Sequence, residues 1–367
     1  VIEELTLSSF RCFSRLTVRP APGLNYFVGP NAVGKTSLLE ALCVVLRLQS
    51  PRSHALQQVR QLGSDGFSVR AHWRAEEEPP TVPVVMDMTW TPRGRRLALD
   101  SVPQSKSSAY LQHGRVTWFG NEDLELVRGS GSARRRFLDF LGSQLRPDYV
   151  SLLRGYERAL KARNFLLREG RSGAELDAYT AECVRFGEPL GQARAEILPA
   201  LRPVFLEAVR AIGGRDEAPD LVFHPGCEGN LEAALSASRE RDRALRQTSK
   251  GPHRDDFTLT LHGQKAADFG SEGQQRTLVL ALKLAQARLL HLRHGRYPIL
   301  LLDDVFGELD PLRRNLLLQA LPLEAQTFIT TTFLDWNNSP LGTNTVFSLP
   351  LADSPGSEPR ELWPRES

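Results

Sequence analysis

Little in this sequence points away from a reducing, aqueous compartment. Four cysteines in 367 residues, Cys12, Cys43, Cys183 and Cys227, stand far apart. None has C-x-x-C or metal-ligand spacing, so a disulfide framework finds no support and free thiols are the economical reading. No apolar run approaches the roughly eighteen residues that a membrane span needs. The opening VIEELTLSSF places acids where a secretory leader carries bases. These absences predict a cytoplasmic protein with no membrane attachment. An excess of one charge is missing as well: 46 Lys+Arg against 43 Asp+Glu give a formal +3. Any surface for a polyanion must therefore be local. Internal repeats, a helix-turn-helix and a zinc finger are also lacking, so base-specific reading has no vehicle here. What remains, at 41% apolar and 24% charged residues, is an ordinary globular composition.

Against that background one stretch stands out. Residues Gly29 to Ser37 read GPNAVGKTS, the spacing of a phosphate-binding P-loop. Before it, Leu24–Val28 reads as a buried strand, and from Thr36 to Leu46 the spacing is helical with no breaker. Gly29 and Gly34 let the backbone curl so that its N–H groups surround phosphate oxygens. The helix N-terminus adds partial positive charge, typically about 0.3–1 kcal/mol and ~2 when partly buried. Lys35 is placed for the β/γ-phosphates and the Thr36 hydroxyl for Mg²⁺. Many unrelated machines hold a nucleotide this way, so the loop alone does not name a function.

The second half of the chain narrows the class. Ile299-Leu300-Leu301-Leu302-Asp303-Asp304 is an apolar run ending in two acids, a Walker B pattern. A buried strand of this kind delivers Asp303 to the metal and sets Asp304 to polarise an attacking water. Alone, the run would read as a core strand with a solvated turn. Thirty-two residues before Asp303 lies Ser271, in Gly270-Ser271-Glu272-Gly273-Gln274-Gln275-Arg276 at the start of a long helix. The Ser hydroxyl, the Gly N–H and the helix dipole make a second anion site. This resembles the signature of ABC-type ATPases, in which one subunit caps the γ-phosphate held by the other. Glu308-Leu309-Asp310 resembles the D-loop of that interface. Thr330-Thr331-Thr332 stands where those proteins keep a γ-phosphate switch, commonly His in transporter cassettes. Each segment is weak alone, since Ser before a helix is a common N-cap. Their order along the chain is specific.

The expected fold is α/β, an ABC-type P-loop ATPase head whose lobe I contains a mixed sheet. Residues 1–115 read as the N-terminal part of lobe I, with strands at Ile2–Leu7, Leu16–Val18, Phe67–Trp73 and Val82–Met88 and a basic hairpin turn at Arg93–Arg96. Residues 116–250 read as an inserted, mainly helical lobe II, with helices over Ala133–Leu145, Asp148–Glu169, Gly173–Ile212 and Asn230–Arg246. Residues 251–350 form the C-terminal ATPase part with signature, Walker B and D-loop, and Phe257–Gly263 suggests a hairpin. Residues 351–367 are polar and Pro-rich, a flexible tail. The 235 residues from Thr36 to Ser271 leave no room for a long coiled coil.

That wide spacing resembles the SMC, Rad50 and RecF heads, and three further stretches are similar to the RecF family in particular. They are Leu5 to Arg11 (LTLSSFR), residues 121–139 (NEDLELVRGSGSARRRFLD) and residues 251–256 (GPHRDD), with the Arg163–Leu167 run beside them. The resemblance covers about residues 1–350. It departs in the P-loop interior, Ala32-Val33, and in Glu272. It implies nucleotide contacts at Arg11, Gly29, Asn31, Gly34, Lys35, Thr36 and Ser37, with Ser271, Gly273, Gln274, Asp310 and Thr331 completing the site. Catalysis would fall to Asp304, Lys35 and Gln274, and Mg²⁺ to Thr36 and Asp303. The implied activity is a weak, DNA-stimulated ATPase of recombinational repair, an ATP-dependent homodimer on duplex and gapped DNA. RecO and RecR are the implied partners in loading RecA onto SSB-coated single strands.

Candidate phosphate contacts on DNA are Arg95 and Arg96 beside Arg93, then Lys106, Arg134 and Arg135. For any one of them a solvated arginine or lysine is the bland alternative, and three arginines in a row on a helix diverge around its axis. His253–Asp256 reads equally well as a structural turn network. Two other classes remain: a transporter-coupled cassette, which the helical insertion disfavours, and a one-subunit phosphotransferase, which leaves the signature unexplained.

Overall fold

The computed structural model describes residues 1–53, 55–74, 83–213, 217–334, 344–349 and 360–362. The chain begins with β1 (Ile2–Phe10), β2 (Phe13–Val18), β3 (Leu24–Val28), α1 (Lys35–Arg47), β4 (Phe67–Trp73), β5 (Val84–Thr91), β6 (Gly94–Leu99) and β7 (Val102–Pro103). Then come α2 (Ser107–Tyr110), β8 (Val116–Phe119), α3 (Glu125–Arg128), α4 (Gly131–Leu145), α5 (Tyr149–Arg168), α6 (Ala174–Ile212) and β9 (Pro219–His224). Next are α7 (Leu231–Ala237), α8 (Arg239–Leu245), β10 (Asp256–Leu261), β11 (Gln264–Lys265), α9 (Ala266–Phe269) and α10 (Glu272–His294). The last are β12 (Ile299–Asp303), α11 (Pro311–Ala320), β13 (Thr327–Thr331), β14 (Asn344–Ser348) and β15 (Arg360–Leu362). Two compact units result, Val1–Glu122 with Leu290–Ser367, and Asp123–Leu289. Among the described residues no helix is long and apolar enough to cross a membrane.

The first unit holds two sheets. One is parallel in order β14-β3-β13-β12-β8. Its inner strands β12 and β13 read ILLLD and TFITT and are buried almost throughout, as strands covered on both faces must be. The other is mostly antiparallel in order β15-β2-β1-β4-β5-β6-β7. It buries one face (Leu5, Leu7, Val69, Ala71, Met86, Met88) and turns polar residues outward. Helix α1 contacts strands of both sheets, which is why Leu38 to Arg47 are buried all round.

The second unit is mainly helical. Helices α5 and α6 pair through reciprocal glycine sockets: a Cβ on Gly155 would meet Phe186 at 2.5 Å, and one on Gly187 would meet Tyr156 at 2.8 Å. Helix α6 continues through Pro189, Pro199 and Pro203, each of which removes one backbone donor. A three-stranded antiparallel sheet β11-β10-β9 completes the unit, and no long coiled coil is present among the described residues.

Several expectations shift in detail. Arg95 and Arg96 lie within β6, paired with Trp90 and Thr89, and the turn is centred on Arg93. The expected Asn230–Arg246 helix is broken at Ser238 into α7 and α8. The signature segment falls in the second unit, although Walker B falls in the first. Within the expected tail, Arg360–Leu362 pairs in parallel with β2; residues 351–359 and 363–367 lie outside the described residues.

Candidate nucleotide site

The P-loop joins β3 to α1, at the carboxyl end of the parallel sheet, where open α/β sheets gather ligands. Gly34 is the N-cap of α1 with φ +99°, a backbone region that favours glycine. A Cβ there would also sit 2.5 Å from the Phe13 ring and 2.6 Å from the Cys12 sulfur. Gly29 accepts no side chain either, with the Leu349 carbonyl 2.9 Å from a Cβ, and its N–H donates to the Thr331 carbonyl at 3.3 Å. Ala32, the departure noted in the loop interior, carries φ +67°. Lys35 Nζ donates to the Gly29 and Pro30 carbonyls at 2.7 Å each, folding the ammonium over its own loop. Burial lowers its pKa, and Asp304 and Asp303 oppose that shift. Asn31 is exposed at the bend, and Ser37 follows Thr36 in the first turn of α1.

Two side chains converge on the Walker B acid Asp303. Thr36 Oγ1 and Thr330 Oγ1 each donate to Asp303 Oδ1 at 2.8 Å. Burial raises the Asp303 pKa, the two hydroxyls pull it down, and the Glu122 charge pushes it up again. A cation at this carboxylate would relieve that destabilisation. The hard oxygens of Thr36 and Asp303 fit Mg²⁺, which takes few protein ligands and completes its shell from phosphates and water. No group of three or more His, Cys, Asp or Glu able to hold a metal occurs among the described residues. Asp304 sits at φ +51°, rare for aspartate, and its N–H donates to Thr330 Oγ1 at 2.9 Å. Its carboxyl pKa is raised by burial, with Lys35 opposing.

Two expected residues hold different positions. Thr331 Oγ1 donates to the Phe333 carbonyl, so Thr330, not Thr331, reaches the acids. Arg11 forks onto the fully buried Glu40 of α1 at 2.7 and 2.8 Å and also donates to Ser53 Oγ and the Gln58 carbonyl. It thereby ties the β1–β2 turn to the P-loop helix. Thr330 stands in the run named from sequence, whereas Glu122 has no local signal: it accepts from Trp118 Nε1 at 2.8 Å, and nothing nearby in the chain announces its charge near Asp303.

The signature forms a capping box. Ser271 N–H donates to Gln274 Oε1 at 2.8 Å, and Gln274 N–H donates to Ser271 Oγ at 3.3 Å. Both residues bracket the N-terminus of α10; Ser271 is exposed and Gly273 half-buried. Gln274, expected among the catalytic groups, thus shapes the turn. Asp310 caps α11, accepting from Arg313 N–H at 2.9 Å, and that backbone bond lowers its pKa.

The basic candidates divide. Arg134, expected at DNA, forks onto Asp256 at 2.6 and 2.8 Å and donates to the Gly129 carbonyl. Arg135 donates to the Asp255 carbonyl at 3.0 Å, and burial lowers its pKa. Both are half-buried, held by the half-buried Asp256 carboxylate and the Asp255 carbonyl, and Arg136 is the exposed member of the run. Arg96 and Lys106 are exposed and Arg95 is half-buried. The GPHRDD segment is structural: Arg194 gathers Asp255, Asp139 and the Pro252 carbonyl at 3.0, 2.7 and 2.6 Å. His253 Nε2 donates to the Thr248 carbonyl, which leaves Nδ1 to accept from Tyr156 O–H. In the Arg163 run, Arg163 is buried on Asp242 at 2.8 Å and Asn164 holds Thr248, while Phe165 is exposed.

A family model described as an AAA domain matches residues 4–68. The DNA replication and repair protein RecF of Shouchella clausii (strain KSM-K16) is 35% identical over 348 residues, covering 90% of this chain and 92% of that protein. RecF of Moorella thermoacetica (strain ATCC 39073 / JCM 9320) is 37% identical over 344 residues, with 90% of each covered. Among solved structures, the recombination mediator protein RecF-ATPrS in the RecFOR pathway superposes at TM-score 0.86 with 24% identity, over 100% of this chain and 98% of that one. An SMC head bound to the C-winged helix domain of ScpA superposes at TM-score 0.56 with 15% identity, over 99% and 97%. At those identities the superpositions speak for the fold, an ABC-type head. With relatives this similar along nearly their whole length, the chain belongs to the RecF family of DNA replication and repair proteins.

Proposed function

We propose that this chain is a recombination-mediator ATPase that closes as a homodimer on duplex and gapped DNA when ATP binds, and opens on hydrolysis. The observation that carries the reading is the Thr36–Asp303–Thr330 node beside the P-loop, two hydroxyls on one carboxylate oxygen at 2.8 Å. Thr36 and Asp303 hold Mg²⁺, which when bound neutralises phosphate charge. Lys35 exchanges its loop carbonyls for phosphate oxygens, and the P-loop N–H groups close around them. Asp304, its carboxyl pKa raised and its backbone fixed by Thr330, orients the attacking water. The Ser271 hydroxyl accepts one bond from Gln274 N–H and keeps its own proton to donate. On this reading it donates to the γ-phosphate of a second copy. Hydrolysis is slow without DNA and faster with it, and RecO and RecR act with the dimer to load RecA on SSB-coated strands. A transporter-coupled cassette has no observation in its favour, since relatives at 35–37% identity span the chain.

Sedimentation of the full chain with ATP, with ADP and without nucleotide, repeated with gapped duplex, tests the reading. A dimer is expected only with ATP, and Ser271→Arg abolishes it while nucleotide still binds. Lys35→Met weakens nucleotide binding itself. A chain that stays monomeric in every condition overturns the proposal.

A further inference from the structure

The outer face of the antiparallel sheet carries a row that the nucleotide site does not use. Strand register aligns Arg15 of β2 with Ser8 of β1, Ser8 with Ser68 of β4, Ser68 with Thr89 of β5, and Thr89 with Arg96 of β6. The row therefore reads guanidinium, hydroxyl, hydroxyl, hydroxyl, guanidinium, with no acid in it. Arg15 and Arg96 are exposed, and the three hydroxyl residues are half-buried. Among the described residues none of the five side chains has a hydrogen-bond or ion-pair partner within the chain. The acids of the next two rows on this face are already engaged: Asp87 by Arg70 at 2.7 Å and Glu4 by Arg19 at 2.8 Å. The free charge of this part of the face is thus positive.

We infer that this row is a phosphate-backbone contact for duplex DNA, an inference that rests on the DNA reading above and gives it a surface. Five strands at about 4.8 Å spacing carry the row across about 19 Å, the rise of five or six base pairs. Arginine and hydroxyl side chains are the groups that fix a duplex by its phosphates without reading its sequence. Single strands ask instead for aromatic platforms. Here Trp90 and Phe67 stack on each other at 6.1 Å on the opposite face of the pleat. Arg96 thus keeps the role expected of it from sequence, while Arg15 takes the place expected of Arg134.

The test is a titration of fluorescent duplex with the full chain and ATP across a salt series. It compares wild type, Arg15→Gln/Arg96→Gln, Thr89→Glu and Arg70→Gln, all checked by thermal melting. Loss of two phosphate contacts lowers the slope of log affinity against log salt by about 1.8, alike on unrelated sequences. Thr89→Glu weakens binding most at low salt, and Arg70→Gln leaves the slope near wild type because Arg70 is spent on Asp87. A folded double variant with the wild-type slope overturns this surface. A change confined to single-stranded DNA overturns its assignment to duplex. Wild-type chain that binds no duplex with ATP overturns the DNA reading itself.

Discussion

Replacing Thr330 by valine keeps the shape of the side chain and removes one oxygen that serves two neighbours. The residue is wholly buried, its hydroxyl donating to Asp303 Oδ1 at 2.8 Å and accepting from Asp304 N–H at 2.9 Å. A hydrogen bond to a charged group is worth about 1.5–3 kcal/mol, and a buried N–H left without a partner costs about 1–3 kcal/mol. Because one atom makes both bonds the two do not simply add, and a loss of roughly 3–4 kcal/mol is expected. Thr331→Val is the control. That side chain is as buried, but its hydroxyl makes one bond to the Phe333 carbonyl, worth about 1 kcal/mol. Urea unfolding at neutral pH with unchanged slope should separate the two variants by about 2–3 kcal/mol. The same change acts on Asp303, whose raised pKa then keeps the Thr36 hydroxyl and the weaker Arg52 charge to hold it down. Metal-dependent nucleotide binding needs the carboxylate, so its onset should move to higher pH in Thr330→Val. If the two threonines cost the same, or Thr331 costs more, the assignment of Thr330 as the link between the acids is wrong.

Burial pushes the His253 pKa down to about 4, below the ordinary 6.5. Between those values the unfolded chain binds a proton that the folded chain refuses, so stability falls as pH drops through that window, by about 3 kcal/mol in total. Acid titration of stability should be shallower by that amount in His253→Gln. In the P-loop, Gly34→Ala meets φ +99° and the Phe13 ring at 2.5 Å, while Ala32→Gly relieves φ +67°. The first should abolish nucleotide binding measured by calorimetry, and the second should raise stability by about 0.5–1 kcal/mol. Arg134→Ala strands Asp256, whose pKa burial raises and the Arg134 fork brings down below normal. It should cost about 1–3 kcal/mol, against less than about 0.5 for the exposed Arg136→Ala.

Elements whose periodicity is local were legible. The strands β3, β4 and β12 and the helices α4, α5 and α6 lie within a few residues of their expected bounds, because each shows its period over its own length. β8 and β9 were not seen. Val116–Phe119 is four residues long and buried throughout, with no alternation to announce a strand. β9 begins with a proline and owes its place to six paired residues of β10, which lie more than thirty positions downstream. The break at Ser238 is likewise invisible in a segment of good helix formers. The buried Asp242 fixes it, taking the Arg163 guanidinium and the Ser249 hydroxyl and amide.

The same division runs through the site, and runs of identical residues show why. Thr330, Thr331 and Thr332 are alike in sequence, and β13 is buried on both faces, so alternation cannot rank them. The parallel register, which sets Thr330 opposite Asp303, ranks them. Arg134, Arg135 and Arg136 pose the same problem on a helix, where a carboxylate 122 positions downstream chooses Arg134. A motif such as GPNAVGKTS is legible because its function depends on backbone curvature between residues covalently joined. Which member of a run does the work depends on the partner that the fold brings opposite it. Arg15 makes the case from the other side. Alone in FSRLTV it carries no motif, and only register across five strands puts it in line with Arg96.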